Sequence, residues 1–187
     1  MSTIRLLVLG VTRLQQPTYG YAVRRELLTW RADTWTNVKP GSIYHALKQL
    51  THEGKLRAIG TESSSTGPGR TLFELTEDGE AEYRTLLDAA LVSVDMEELG
   101  AGIALMDTLP RDHVISLLRQ QRQRSTQVRD ELVAMKADYP RRGEAPHSAD
   151  LLELWAGTFD HLAHWTDGIL ERLDKGDYQM ADDSPAV

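Results

Sequence analysis

The chain of 187 residues contains no cysteine, and it has no apolar run of the ~18 residues a membrane-spanning helix needs. Without cysteine there are no disulfides and no thiolate metal sites, and a reducing compartment fits. Without the apolar run no membrane span is expected. The opening MSTIRLLVLGVTRL invites comparison with a signal peptide. Arg5 is its only early positive charge, however, Arg13 interrupts it, and no small-residue cleavage site follows. It reads as a core helix, and the expected location is cytoplasmic. Nucleophile elbow, phosphate loop and dinucleotide-binding glycines are also missing, so neither an enzyme nor a cofactor is expected. No internal repeat occurs.

Positive charge is scarce overall, with a net charge of −7, which taken alone argues against a nucleic-acid partner. The average conceals an asymmetry. Residues 1–75 hold ten Lys/Arg against five Asp/Glu, a balance of +5, and the remainder holds eleven against twenty-three, a balance of −12. A basic head on an acidic body suits DNA binding, and equally any two-part protein.

What is present is organised around KPGSIYHALKQLTHEG, residues 39–54. Ile43, Leu47 and Leu50 recur at helical spacing on one face. Ser42, Tyr44, His45, Lys48 and Gln49 point elsewhere, and each can donate a hydrogen bond. Pro40 suits a first turn and Gly54 a stop. Such a helix could read a DNA groove or be an ordinary surface helix.

Its neighbours narrow the choice. Ile4, Leu7, Val8 and Val11 predict a first helix, and Thr18 is a candidate N-cap for a second, Tyr19 to about Trp30. There Tyr21 or Ala22, Val23, Leu27 and Trp30 face inward. RADTWTNVK is read as a short polar linker to the third helix, the order of a helix-turn-helix. Alternation over residues 55–59 and 70–76, around the polar stretch ESSSTGPG, predicts a β-hairpin with a long tip. Thr76 then caps a fourth helix to about Val94. Helix–helix–helix–hairpin is a winged helix-turn-helix.

The rest of the chain is helical. From Pro110 to about Tyr139, the positions Val114, Leu118, Gln121, Ser125, Val128, Leu132, Met135 and Tyr139 alternate steps of four and three. YPRRGEAP breaks the pattern, and Leu152, Trp155, Phe159, Leu162, Thr166, Ile169 and Leu173 resume it after a Ser148 cap. Two seams of this kind in so small a body predict a homodimer. The expected domains are 1–94 for DNA binding and 95–178 for dimerisation and effector binding, with 179–187 a disordered tail.

LLVLG, PTYGY, KPGSIYHALKQLTHEG and GPGRTLFELTEDG, in this order, resemble the PadR-type transcriptional regulators over roughly residues 5–80. The resemblance implies a mostly α fold, a winged helix-turn-helix with a two-stranded β wing plus a C-terminal helical dimerisation region. It also implies a repressor on double-stranded DNA, responsive to a small molecule. The family's Pro-Gly-Ser-x-Tyr motif falls on Pro40, Gly41, Ser42 and Tyr44, and its wing arginine on Arg70. Two departures stand out: Tyr19, where histidine is frequent, and Thr51, where glutamate is.

On this reading His45, Lys48 and Gln49 lie near base edges, and Ser42 and Tyr44 near phosphates, with Tyr19 and Lys39 flanking them. Gly67, Gly69 and Arg70 form the wing, where the backbone approaches DNA and Arg70 supplies charge. Tyr44 packing on the second helix is a compatible role; a solvated face is the plain alternative for His45 and Gln49. Met135, Trp155, Phe159 and Trp165 are candidates for a small aromatic effector, although aromatics on long helices more often belong to a core or seam. Asp160, His161, His164 and Asp167 have near-metal spacing. A di-iron bundle wants Glu-x-x-His on two helices and two further glutamates, so solvated histidines beside acids and no metal are expected. The competing class is a winged-helix protein–protein adaptor.

Overall fold

The computed structural model describes residues 3–64, 67–137, 145 and 147–183. The expected hairpin tip, most of the Tyr139–Pro146 break and the last four residues lie outside them. The chain packs as two units, Met1–Ala90 with Gly100–Leu105, and Leu91–Leu99 with Met106–Val187. The helix α6 (Met96–Ile103) contributes to both, where the sequence suggested one cut after residue 94.

The first unit is built around α1 (Thr3–Gln15), where Leu6, Leu7, Val8, Leu9 and Val11 are all buried. A helix apolar on most sides must be wrapped, and α2 (Gly20–Thr29), α4 (Pro40–His52) and the strand β2 (Gly67–Leu75) pack on it. Ala22, not Tyr21, takes the inward position of α2 beside Val23 and Leu27. The region expected to be a plain linker contains α3 (Ala32–Trp35), one helical turn entered through Arg31 at φ 55°. Thr34 and Thr36 hydroxyls donate back to the Arg31 and Ala32 carbonyls and close that turn locally.

Thr18 does not cap α2. It forms a two-way antiparallel bridge with Phe73 instead, N to O distances 3.0 and 2.7 Å, while the Gln16 side chain accepts the Leu75 N–H. A tertiary strand contact thus overrides a good local cap. The hairpin strands also run further than expected. β1 (Leu56–Ser64) and β2 pair from Leu56↔Leu75 to Ser64↔Gly67, through most of the polar stretch ESSSTGPG. Register shifts after Ala58 and Glu62 let the ribbon bend. The Thr76 hydroxyl caps α5 (Glu77–Leu91) by accepting the Gly79 N–H at 3.0 Å.

The second unit is a helical hairpin. Asp95, accepting the Glu97 and Glu98 N–H groups, starts α6, which lies beyond the helices expected from the sequence. α7 (Arg111–Ala137) and α8 (Ser148–Lys175) then pack along each other. The first half of the predicted α7 seam and the second half of the α8 seam meet within the chain, and Tyr139 lies outside the described residues. Val114, Leu118, Gln121 and Ser125 are buried on α7, as are Leu162, Thr166, Ile169 and Leu173 on α8. Seam burial therefore does not by itself demand a second copy. What stays open is the far end of the hairpin, where Val133, Met135, Leu151, Leu154 and Trp155 are exposed, Leu154 by 62%.

The polar middle of the α7 seam closes on itself. The Thr166 hydroxyl donates to the Gln121 amide oxygen at 2.7 Å, and the Gln121 amide donates to the Ser125 hydroxyl at 2.9 Å. All three residues are fully buried. Gln121→Ala removes the amide and opens a cavity, so a loss of about 3 kcal/mol is expected in urea unfolding. Gln121→Leu fills the space and leaves Thr166 bonded to the Leu162 carbonyl, so its cost is expected to stay within about 1 kcal/mol.

Outside the seam, three ion pairs step along the hairpin: Arg122–Asp167, Arg129–Asp160 and Lys136–Glu153. Each α7 member lies seven residues after the last and each α8 member seven before, the signature of antiparallel helices in heptad register. Exposed pairs contribute little stability singly but disfavour other registers. The hydrogen bond from Arg129 holds the Asp160 carboxyl below its ordinary 3.8, and Lys136 does the same for Glu153. Because the folded values are depressed, this contribution is whole above the ordinary carboxylate range and is lost as pH falls through the folded values. Arg129→Gln is accordingly expected to lower the melting temperature at neutral pH, with the difference from wild type shrinking as pH falls through the folded values.

The expected disordered tail is in part tied down. The Arg111 guanidinium donates to the Leu173 and Tyr178 carbonyls and pairs with Asp183 at 2.5 Å. Asp182 accepts the Arg111 N–H, and Met180 is buried.

Candidate nucleic-acid interface

The candidate surface starts from the way α4 begins. Lys39 is the N-cap and Pro40 the first helical residue, and the Ser42 hydroxyl accepts the Lys39 N–H at 3.0 Å while donating to the Lys39 carbonyl at 2.7 Å. Ser42 therefore fixes the first turn, and a phosphate contact would share that hydroxyl. At the other end Gly54 takes φ 72°, which only glycine adopts freely, and releases the chain into β1. Between these stops Ile43, Ala46, Leu47 and Leu50 are buried. Tyr44, His45, Lys48 and Gln49 are exposed on the opposite face. His52, one turn beyond Lys48, extends that face. It went unnoticed in the sequence because it sits in the last turn, next to the stop signal.

Two contacts join this face to the wing. The Tyr44 ring lies on Gly20, where an added Cβ would be 2.6 Å from Tyr44 Cε1. Tyr44 thus packs on α2 and still leaves 48% of its surface exposed, so both roles weighed for it coexist. Beside Gly20, the half-buried Tyr19 carries the Arg70 guanidinium over its ring, 4.8 Å from the centroid. A cation over an aromatic face gains about 0.5–1 kcal/mol at an exposed site. The Thr18–Phe73 bridge pins β2 to the segment bearing Tyr19, so Arg70, Tyr19, Gly20 and Tyr44 form one continuous run. Sequence reasoning placed Tyr19 at this surface without the stacking; only the β2 register reveals it. Gly67 pairs with Ser64 at the outer end of the wing, and Gly69 lies between Gly67 and Arg70 on the same strand.

Charge is divided within this unit. Arg5 pairs with Glu82 and Glu53 at 2.5 and 2.6 Å, and Arg13 pairs with Glu80 at 2.9 Å. Lys55 faces Glu82, and Arg57 faces Glu74. The hydrogen bond with Glu53 raises Arg5 above its ordinary value and lowers Glu53 below its own. Among the described residues, Lys39, Lys48 and Arg70 take part in no ion pair. Uncompensated positive charge is thereby left on the helix and wing positions that a phosphate backbone would meet.

The effector candidates are less coherent. Trp155 and Phe159 share a face of α8, one turn apart. At ~100° per residue Trp165 lies about 120° round the helix from Phe159. Met135 and Trp155 are about half exposed at the open end of the hairpin. The near-metal spacing on α8 has another occupant, since Asp160 and Asp167 are bound by Arg129 and Arg122. His164 Nδ1 lies 2.8 Å from the Asp160 carbonyl oxygen of its own helix.

Residues 8–85 match the model of the transcriptional regulator PadR-like family. Among solved structures, PadR of Bacillus subtilis in complex with operator DNA is 19% identical, with TM-score 0.41, over 92% of this chain and 100% of that one. The same protein in complex with p-coumaric acid is 19% identical, with TM-score 0.37, over 92% and 99%. The PadR-like regulator BC1756 from Bacillus cereus is 16% identical, with TM-score 0.37, again over 92% and 99%. Among curated protein sequences none matches. No helix among the described residues is long and apolar enough to cross a membrane. The winged helix-turn-helix formed by residues 8–85 is a domain of the PadR-like family of transcriptional regulators.

Proposed function

We propose that this protein is a homodimeric, sequence-specific repressor on double-stranded DNA, released by a small-molecule effector. One observation carries the DNA-binding part: Tyr44, His45, Lys48 and Gln49 stand exposed on a helix whose neighbours link it to an arginine at the wing. A helix inserted into the major groove can present Lys48 to guanine acceptors and Gln49 to adenine. The wing arginine and Lys39 then answer the backbone.

Dimerisation is supported by the open end of the hairpin, where Leu151, Leu154 and Trp155 face solvent beside Val133 and Met135. Large apolar side chains left exposed at one end of a hairpin are a common mark of a protein interface. Trp155, with Phe159 one turn on along the same face of α8, supports the effector, whose binding would change the spacing of the two heads and break register with half-sites about one helical turn apart.

Purified protein is expected to prefer its own upstream DNA over random duplex, with the preference surviving higher salt. Sedimentation should give twice the monomer mass, reduced by Leu154→Glu. Equal, weak binding to both DNAs that vanishes with salt would overturn the specific regulator and favour the adaptor reading. Unchanged tryptophan fluorescence across a broad panel of aromatics would overturn the effector.

A further inference from the structure

We infer that His45 and His52 are DNA-contacting residues that take up protons as α4 meets DNA, so that binding tightens as pH falls below neutrality. Both side chains are exposed on the outer face of α4, about two turns apart, with Lys48 between them. Among the described residues neither imidazole takes part in a hydrogen bond or an ion pair. His164 on α8, by contrast, lies against the Asp160 carbonyl of its own helix.

Around this face the described residues supply positive charge and no free carboxylate. α4 itself holds no acid. Glu53, next along the chain, is held by Arg5 of α1, and Arg13 of α1 is held by Glu80. On α2, Glu26 accepts from Gln15 and Trp30, while Arg24 and Arg25 are cations. Arg57 of β1 pairs with Glu74 of β2, Lys55 faces Glu82, and Arg70 lies over Tyr19. Asp33 of α3 lines a cleft with Pro40 and Ile43, on the inner side of α4. His52 sits in the last turn of α4, where the helix dipole favours a cation with or without DNA. A cation at either histidine therefore has Lys48 one turn away and no carboxylate to answer it until DNA arrives.

The chemistry of the partner follows. Phosphate oxygens, and the N7 and O6 of guanine, are acceptors with no proton to give. A neutral imidazole offers them one N–H and one lone pair that finds no donor, whereas an imidazolium offers two N–H groups. Imidazole is the side chain whose ordinary titration lies near neutrality. Because the proton is held more tightly on DNA than off it, the added affinity is whole in acid and is lost as pH rises through neutrality. Each protonated histidine also displaces counterions, so acid steepens the salt dependence. The inference rests on the DNA-binding reading above and adds its control by pH.

The test titrates the full chain onto its upstream DNA and onto random duplex at pH 8 and pH 6, each at several salt concentrations. Four histidines in a dimer, each gaining about 2.5-fold, give an affinity about fortyfold higher at pH 6. The log–log salt slope should steepen by about 3 between the two pH values. His45→Gln and His52→Gln should each leave a gain of about sixfold, and the double variant should bind alike at both pH values. All three are expected to keep the wild-type melting temperature at pH 8, since both side chains are exposed and unbonded. His161→Gln, exposed in the other unit, should keep the full gain. A gain on upstream DNA alone would set the protons against guanine, and an equal gain on random duplex would set them against phosphate. Specific binding that ignores pH, or a gain that survives in the double variant, would overturn the inference and leave the regulator standing. Equal, weak binding to both DNAs with the histidine-dependent gain intact would lose the specific regulator and keep the inference. No binding to either DNA at either pH would remove both.

Discussion

Gly79→Ala is expected to destabilise the N-terminal unit by about 3 kcal/mol or more, a large share of the 5–15 kcal/mol that typically holds a domain. Gly79 is buried in the first turn of α5, against the carbonyl of Lys55. An added Cβ would overlap that carbonyl oxygen and lie 3.0 Å from its carbon. The obstacle is backbone, so no side chain can swing away. Nor can the backbone move freely. The Lys55 N–H closes the end of α4 on the Leu50 carbonyl at 2.8 Å, and the Lys55 carbonyl accepts from the Thr76 N–H at 3.2 Å. The Thr76 hydroxyl in turn donates to the Gly54 carbonyl and accepts from Gly79 itself. Shifting Lys55 disturbs the stop of α4, the start of β1 and the cap of α5 together. Urea titration should report a lower midpoint with an unchanged slope. Gly41→Ala is the control: nothing lies within 4 Å of its added Cβ, so stability is expected to hold or rise. A mild Gly79→Ala would mean the three elements are not coupled through Lys55.

The sequence was legible where local chemistry and tertiary need agree. Pro40, the Ile43–Leu47–Leu50 spacing and Gly54 bounded α4 to within a residue or two, because starter, apolar stripe and stop are all short-range signals. Thr18 misled because its capping preference is local while its partner, Phe73, lies across the fold. The turn α3 hid in RADTWTNVK for the opposite reason: no residue there signals helix strongly, and hydroxyls donating to backbone carbonyls hold it. On α8, Asp160 and Asp167 looked like half a metal site because their helix was read alone. Their partners Arg129 and Arg122 belong to α7, at a spacing that becomes meaningful once the helices are known to run antiparallel. Met180 gives no periodic signal in a short tail of polar and small residues, and it is Arg111, almost seventy positions earlier, that fixes the segment around it. In the candidate site, the exposed face of α4 could be read from periodicity. The Arg70–Tyr19 stack could not, since it depends on which residues of β2 face α2.

Affinity for operator DNA is expected to fall about a thousandfold between 50 and 200 mM monovalent salt. Lys39, Lys48 and Arg70 are the three cations of the candidate surface free of carboxylates, hence six in a dimer. Each cation that displaces counterions, in the groove as on the backbone, adds about 0.9 to the log–log slope, so six give a slope near −5. Lys48→Ala removes one contact per head and should flatten the slope by about 2 while relaxing base preference at one position of each half-site. Arg70→Ala should flatten it equally without touching base preference. Tyr19→Ala separates charge from placement. The Arg70 charge remains, so the slope should stay, but loss of a stack worth about 0.5–1 kcal/mol per head leaves the guanidinium to search for its phosphate. Affinity should then drop about two- to fivefold per head at every salt concentration. Arg57→Ala, whose guanidinium already pairs with Glu74, should alter neither slope nor affinity. Anisotropy titrations at four salt concentrations would distinguish these variants. A Tyr19→Ala slope flattened like that of Arg70→Ala would mean that the ring delivers the charge to DNA and does more than orient it.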